Sequence, residues 1–316
     1  MAAPLAQQLA DDLWLLDTLY QGEPGVIGSY LLTGAAGPAL IDVGSAANLD
    51  TLLAAIAAAG VEPRAIRHIV LTHIHLDHAG AAGSLLQVCP EARVYVHAIG
   101  APHLVDPSKL IASAGRIYGD QMHRLWGTMM PVPADRIVRL EEGDRLTVGD
   151  RTLQALYTPG HAIHHIAYHD AAHGAVFAGD VAGVRLQGVP LVRPPTPPPD
   201  LSLEDWYVSI ERLQGLDPHV LYLAHFGPVT DVAAHLRELR DRLAEWGEAM
   251  LGGMRAGLDE DALTATLAEL SAGDLARAAG DALPEVRRRY ELAANYRMSA
   301  QGYVRYFTKR HPELLA

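Results

Sequence analysis

Two hydrophobic spacings alternate along most of the chain. Short runs such as Ile66-Arg67-His68-Ile69-Val70-Leu71 are apolar and β-branched, which predicts buried strands. Strands are expected at Leu13 to Leu16, Gly28 to Thr33, Ala39 to Val43, Ile66 to Leu71 and Arg93 to His97. A second set covers Ile137 to Leu140, Arg145 to Val148, Thr152 to Tyr157, Ile166 to His169, Ala175 to Ala178 and Val220 to Leu223. Between them, helical spacing marks Leu49 to Ala59, Ala79 to Val88, Leu110 to Trp126 and Leu203 to Leu213. From Asp231 onward the pattern is helical alone, over Val232 to Met254, Glu260 to Leu270 and Glu285 to Phe307. This predicts an α+β domain over residues 1–230, followed by a helical extension over 231–316 whose simplest role is to cover the core, with pocket wall or homodimer surface as the alternatives.

The polar residues at the strand ends are the unusual feature. Thr72 to Gly80 reads THIHLDHAG, so His73, His75, Asp77 and His78 fall within six positions, where a strand leaves a sheet. In an extended stretch, residues 73, 75 and 77 share a face, while Asp77 and His78 can turn toward different partners. That suits two metal ions better than one. Four further strand ends carry matching groups: Asp42 after Ala39-Leu40-Ile41, His161 in Thr158-Pro159-Gly160-His161, Asp180 in Phe177-Ala178-Gly179-Asp180 after the strand Ala175 to Ala178, and His225 after Leu221 to Ala224. Taken singly, a strand-end histidine or a Gly-Asp turn is ordinary packing or turn chemistry. The joint pattern is not.

These motifs resemble the metallo-β-lactamase superfamily. Its HxHxDH signature is met by His73, His75, Asp77 and His78, and its later ligands by His161 in TPGH, Asp180 in AGD and His225 in LAHFGP. The resemblance implies a four-layer αββα sandwich. It also implies that His73, His75 and His161 hold one divalent metal ion, that Asp77, His78 and His225 hold a second, and that Asp180 bridges them. His165 matches the second histidine of TPGHxxxH and is expected, like Asp42, to orient a ligand from behind. His164 stands where glycine is common and receives no role. His68, His97, His103, His123, His169, His173, His219, His235 and His311 lack a metal-ligand context.

Composition narrows the partners. A formal charge of −12 and only two lysines, Lys109 and Lys309, argue against nucleic acid or an acidic membrane surface. The start, Met1 to Gln8, has no basic n-region, no apolar run reaches membrane length, and the single Cys89 can make no internal disulfide. A cytoplasmic protein acting on a small molecule is expected.

Imidazoles and carboxylates suit zinc, with manganese or iron as alternatives. Two such ions would make hydroxide available near neutral pH and polarise a carbonyl, so the expected reaction is hydrolysis, with Asp77 and Asp180 as the catalytic carboxylates. Asp180 and the absence of a recognisable leader set the chain apart from true β-lactamases of the superfamily. The resemblance is closer to glyoxalase II-like thioesterases and lactonases, although the GCGR stretch of the former is missing and Gly183 stands where lactonases often have tyrosine. An ester, lactone or thioester of a small or medium acyl group is the expected substrate. Persulfide dioxygenase or flavodiiron oxidoreductases, phosphodiesterases and an idle binding protein are the alternatives. Arg185 and Arg193 are expected in the pocket wall, the latter inside Pro190 to Pro199, a stretch with six prolines.

Overall fold

The structure is a computed structural model that describes residues 4–316. The Met1-Ala2-Ala3 part of the N-terminal reading lies outside the described residues. The chain divides into two compact units. One runs up to Tyr157 and resumes over His164–Gly179; the other comprises Thr158–Ile163 and Asp180–Ala316.

The first unit holds a seven-stranded sheet in chain order: β1 (Ala6–Ala10), β2 (Leu13–Asp17), β3 (Gly28–Leu32), β4 (Ala39–Ile41), β5 (His68–Val70), β6 (Arg93–His97) and β7 (Ile137–Leu140). β1 to β4 pair antiparallel and β4 to β7 parallel. The change follows from the connections, because parallel neighbours need crossovers. These are α1 (Leu49–Ala58), then α2 (Leu76–Ala79) with α3 (Ala82–Val88), then α4 (Ala101–Val105), α5 (Ser108–Tyr118) and α6 (Met122–Trp126). β3 and β4 are buried along their whole length, as strands covered on both faces should be.

A second set of strands in this unit, β8 (Arg145–Val148), β9 (Arg151–Tyr157), β10 (Ile166–Asp170) and β11 (Ala175–Gly179), forms an antiparallel meander. The two sheets meet through an edge-to-face pair, Tyr30 on Phe177, at 5.4 Å. The Tyr168 hydroxyl donates to Leu71 O at 2.7 Å, and Ile166 N donates to Thr72 O at 2.8 Å. Those two bonds tie the β5 exit to the second sheet, just before the first histidine of the signature. The fold class is α+β with two sheets, as the sequence predicts.

The second unit contains α7 (Leu203–Gly215), the hairpin β12 (Val220–Leu223) with β13 (Gly227–Val229), and four helices: α8 (Val232–Arg255), α9 (Glu260–Ala279), α10 (Leu283–Ala293) and α11 (Tyr296–Arg310). Ser202 caps α7, Asp259 caps α9 and Asn295 caps α11, each accepting from a backbone N–H in the first turn.

Several expectations need correction. β1 escapes the sequence pattern because its half-exposed AQQLA carries no alternating apolar signal. β13 forms where Phe226-Gly227-Pro228 predicts only a strand end. Gly227, at φ +81°, makes the turn, and Pro228 lies on an edge strand, where proline is tolerated. The single helix expected from Leu110 to Trp126 breaks at Gly119, φ +49°. Its aromatic face survives the break: Tyr118 meets Trp126 edge-on at 5.1 Å, and Trp126 stacks on Tyr20 at 5.3 Å. The helix expected over Glu285 to Phe307 is two, separated where Asn295 starts α11.

Burial in the second unit also makes a pH prediction. His235 on α8 is 1% exposed, and its Nε2 lies 2.7 Å from Ala182 O. Burial disfavours its charged form and lowers its pKa to about 4. The unfolded chain therefore binds the extra proton first, so stability is full above about pH 6.5 and is lost as pH falls toward 4, by about 3 kcal/mol. Urea midpoints at pH 7.5 and pH 5 should differ less in His235→Gln than in the wild type. Equal slopes would remove His235 from the acid response.

Candidate metal centre

In the first unit the site starts from Asp42. Parallel pairing sets Ile41 opposite Val70, so the residue after β4 faces the exit of β5. Asp42 adopts φ +53°, a conformation that aspartate tolerates better than most side chains. Its Oδ1 accepts from Thr72 N at 2.8 Å, and its Oδ2 accepts from Thr72 Oγ1 and from His78 Nδ1, both at 2.8 Å. Thr72 thus gives its single hydroxyl proton to Asp42, so the 3.1 Å contact between Thr72 Oγ1 and His73 Nδ1 requires a proton on Nδ1. The same reasoning protonates His78 at Nδ1. In both imidazoles Nε2 is then the atom whose lone pair could ligate.

The two Nε2 atoms have different neighbours. His73 Nε2 lies 2.9 Å from His75 Nδ1, whereas His78 Nε2 lies 3.5 Å from Asp77 Oδ2. The extended stretch expected through residue 77 is a helix instead, because α2 begins at Leu76. One helical turn swings the second pair away from the first. His164 and His165 back this arrangement. The His164 ring stacks 6.1 Å from His73 and stands edge-on to His75 at 5.5 Å; the His165 ring lies 5.1 Å from His73. The sequence pattern places His165 here. It gives no sign of His164, which has no motif, or of Thr72, because a threonine beside a strand reads as β-branched filler. Burial, reinforced by the charge of Asp77, raises the Tyr20 and Tyr118 phenols well above their usual range, so both stay protonated near that carboxylate.

In the second unit, Gly160 at φ +130° makes the turn that presents His161, and a Cβ there would run into the Trp206 backbone. His161 Nδ1 donates to Pro195 O at 2.8 Å, which again reserves Nε2. Asp180 follows Gly179, at φ +51°, and is 3% exposed. Its Oδ2 lies 3.4 Å from His161 Nε2 and its Oδ1 lies 3.5 Å from His225 Nε2. One carboxylate therefore faces two imidazoles, each through a different oxygen. His73, His75, Asp77, His78, His161, Asp180 and His225 all belong to His/Asp groups that could hold a metal ion.

The two arginines expected in the pocket wall each have an acidic partner. Arg185 Nη1 donates to Asp231 Oδ1 at 2.6 Å. Arg193 is 1% exposed and donates to Glu291 Oε1 and Ala294 O, both at 3.0 Å, and to the Tyr296 hydroxyl at 2.6 Å. Its neighbours are the C-terminal helices, which the local proline pattern could not foretell. Two of the histidines expected to lack a metal-ligand context have packing or hydrogen-bond partners. His97 stacks on Tyr157 at 4.6 Å, and His68 sits between the Tyr95 hydroxyl and Ala36 O.

Histidine and aspartate side chains gathered in this way could hold metal ions, and comparison with known proteins gives the family. The model of the metallo-beta-lactamase superfamily matches residues 22–225, and the chain belongs to that superfamily. It is similar to a metallo-beta-lactamase fold-containing protein of Sulfurisphaera tokodaii, 32% identical over 177 residues, which is 54% of this chain and 66% of that protein. A hydroxyacylglutathione hydrolase of Aeromonas salmonicida is 30% identical over 163 residues, 50% of this chain and 46% of the enzyme. The chain thus matches less than two thirds of the length of either relative. Among solved structures, a metallo-beta-lactamase family protein from Thermus thermophilus superposes with a TM-score of 0.69 at 23% identity, covering 96% of this chain and 95% of that one, a likeness of fold. Among the described residues, no helix is long and apolar enough to cross a membrane.

Proposed function

We propose that the chain is a dinuclear metallo-hydrolase that cleaves an ester, lactone or thioester of a small or medium acyl substrate. One divalent ion is held by His73, His75 and His161, and the other by Asp77, His78 and His225, with Asp180 shared. The observation that carries this reading is the buried Asp180 carboxylate, whose two oxygens address two different imidazoles at 3.4 and 3.5 Å. A carboxylate serving a single ion would have no need of the second. The donor set contains no cysteine and fits zinc, manganese or iron, with zinc the first choice.

Bound there, the ions supply an activated water near neutral pH and a polarised carbonyl. The chain's own residues do the rest. Asp42, acting directly on His78 and through Thr72 on His73, keeps both rings aimed before any ion arrives. Asp77, with a side chain 21% exposed, is the ligand carboxylate open enough to take and pass a proton. The acyl assignment is supported by the name of the Aeromonas relative, a hydroxyacylglutathione hydrolase. The formal charge of −12 gives a polyanionic phosphodiester no general attraction.

The test compares lactone, thioester, phosphodiester and β-lactam panels at matched concentration, with metal-depleted protein as control. Turnover of lactones or thioesters, lost on depletion and restored by added zinc or manganese, is expected. Selective turnover of phosphodiesters would overturn the acyl assignment.

A further inference from the structure

The proline-rich segment after Asp180 is held at three points by the C-terminal helices. The Tyr290 hydroxyl donates to Leu191 O at 2.5 Å. Arg193 lies over the Tyr296 ring at 4.0 Å and donates to its hydroxyl. The Thr196 carbonyl sits directly on Gly302 of α11, where a Cβ would fall well inside contact distance of that oxygen, and Thr196 Oγ1 reaches Ser299 O at 3.4 Å. Pro195 stands between the second and third of these points, and its carbonyl receives the His161 Nδ1 proton.

A proline carbonyl is a fixed acceptor only if the chain on both sides is fixed. Pro195 supplies its own φ restriction, but its ψ and the following peptide depend on where Thr196 rests. That resting place is a position on α11 where any side chain would collide with the segment. Gly302 also stands in the interior of a helix, where glycine costs about 1 kcal/mol relative to alanine, so local helix propensity gives no reason for it.

We infer that α10 and α11 are positioning elements for His161: through Arg193 and Gly302 they set the Pro195 carbonyl, and that carbonyl sets the tautomer and aim of the ring. This rests on the reading of His161 as a ligand and goes beyond it, because it gives the C-terminal helices a part in the site instead of a cover over the core. Gly302 and Tyr296 are not among the proposed ligands. Their effect is transmitted.

The experiment uses the full chain in three variants. Gly302→Ala displaces the Thr196 carbonyl, Tyr296→Phe removes one bond to Arg193 while keeping its ring, and Thr308→Ala on the exposed side of α11 is the control. The first readout needs no metal. In metal-free protein, the His161 ring carries its proton on Nδ1, seen by nitrogen-15 correlation spectra and assigned with His161→Gln. Gly302→Ala should abolish or shift that signal, Tyr296→Phe should weaken it, and Thr308→Ala should leave it alone. The second readout is zinc affinity by chelator competition. Gly302→Ala should weaken one of the two ions by roughly 10- to 100-fold and leave the other within about threefold. A purely structural role would lower thermal stability without moving the His161 signal.

A Gly302→Ala protein with the wild-type His161 signal and both wild-type zinc affinities overturns the inference. Should that variant fail to fold, Tyr296→Phe decides alone by the same two readouts. If the His161 signal moves as expected while His161→Gln still binds zinc as the wild type does, the coupling stands and the ligand assignment fails. The two ideas are thereby separable.

Discussion

Asp180→Asn should bring the protein from about two equivalents of metal to about one or fewer, with affinity for the remaining ion reduced at least about 100-fold. The substitution preserves shape and changes two things at once. It removes the negative charge shared by both ions, and it replaces one carboxylate oxygen by an NH₂ group that can only donate. Whichever way the amide turns, that group offers an N–H to an imidazole nitrogen, His161 Nε2 or His225 Nε2, where a metal ion would need an oxygen. At 3% exposure, no bulk water stands in for the lost charge. Metal analysis after exhaustive dialysis, followed by chelator competition, measures both quantities. Undiminished binding of two ions in the mutant would mean that Asp180 bridges nothing. A wild type that saturates at one equivalent under metal-replete conditions would remove the dinuclear reading itself.

The seven proposed ligands are legible because each follows a strand, where apolar periodicity stops and a histidine or aspartate appears. What the sequence conceals is what holds them. Thr72 becomes informative only once the parallel pairing of β4 with β5 brings Asp42 beside it, thirty positions away in the chain. Asp42 itself is expected behind the ligands, and the contact that gives it that place, with His78, spans 36 positions. The partners of Arg193 are hidden for the same reason. Prolines announce an extended segment, but its partners Tyr290 and Tyr296 lie about a hundred positions further on. Local signals specify an element and its ends; they do not specify which element it meets. β1 and β13 stay hidden from a different cause, since a half-exposed polar strand and a three-residue strand containing proline carry almost no burial pattern to detect.

His73→Ala and Asp77→Asn should each lower kcat/KM by about 10³-fold or more, but by routes that metal analysis can tell apart. His73 is fully buried, receives its tautomer from Thr72 and stands 2.9 Å from His75 Nδ1. Its removal leaves a cavity in the first ligand set and only His75 from the THIHLDHAG run for that ion. Metal content should therefore fall with activity. Asp77 is different. It is partly exposed, and its neighbour His78 keeps its orientation from Asp42 whether or not Asp77 carries charge. Asp77→Asn should consequently retain more metal than His73→Ala, and the activity remaining per bound metal ion should still be far below wild type, because a carboxamide cannot accept the proton that water must lose. Measuring kcat/KM on the best substrate from the panel, normalised to metal content across pH 5 to 9, tests this directly. If the normalised activity of Asp77→Asn equals that of the wild type throughout, Asp77 is a ligand only and the proton leaves by another group. If His73→Ala keeps both its metal and its activity, the first ligand set is wrong, and the mechanism built on it falls with it.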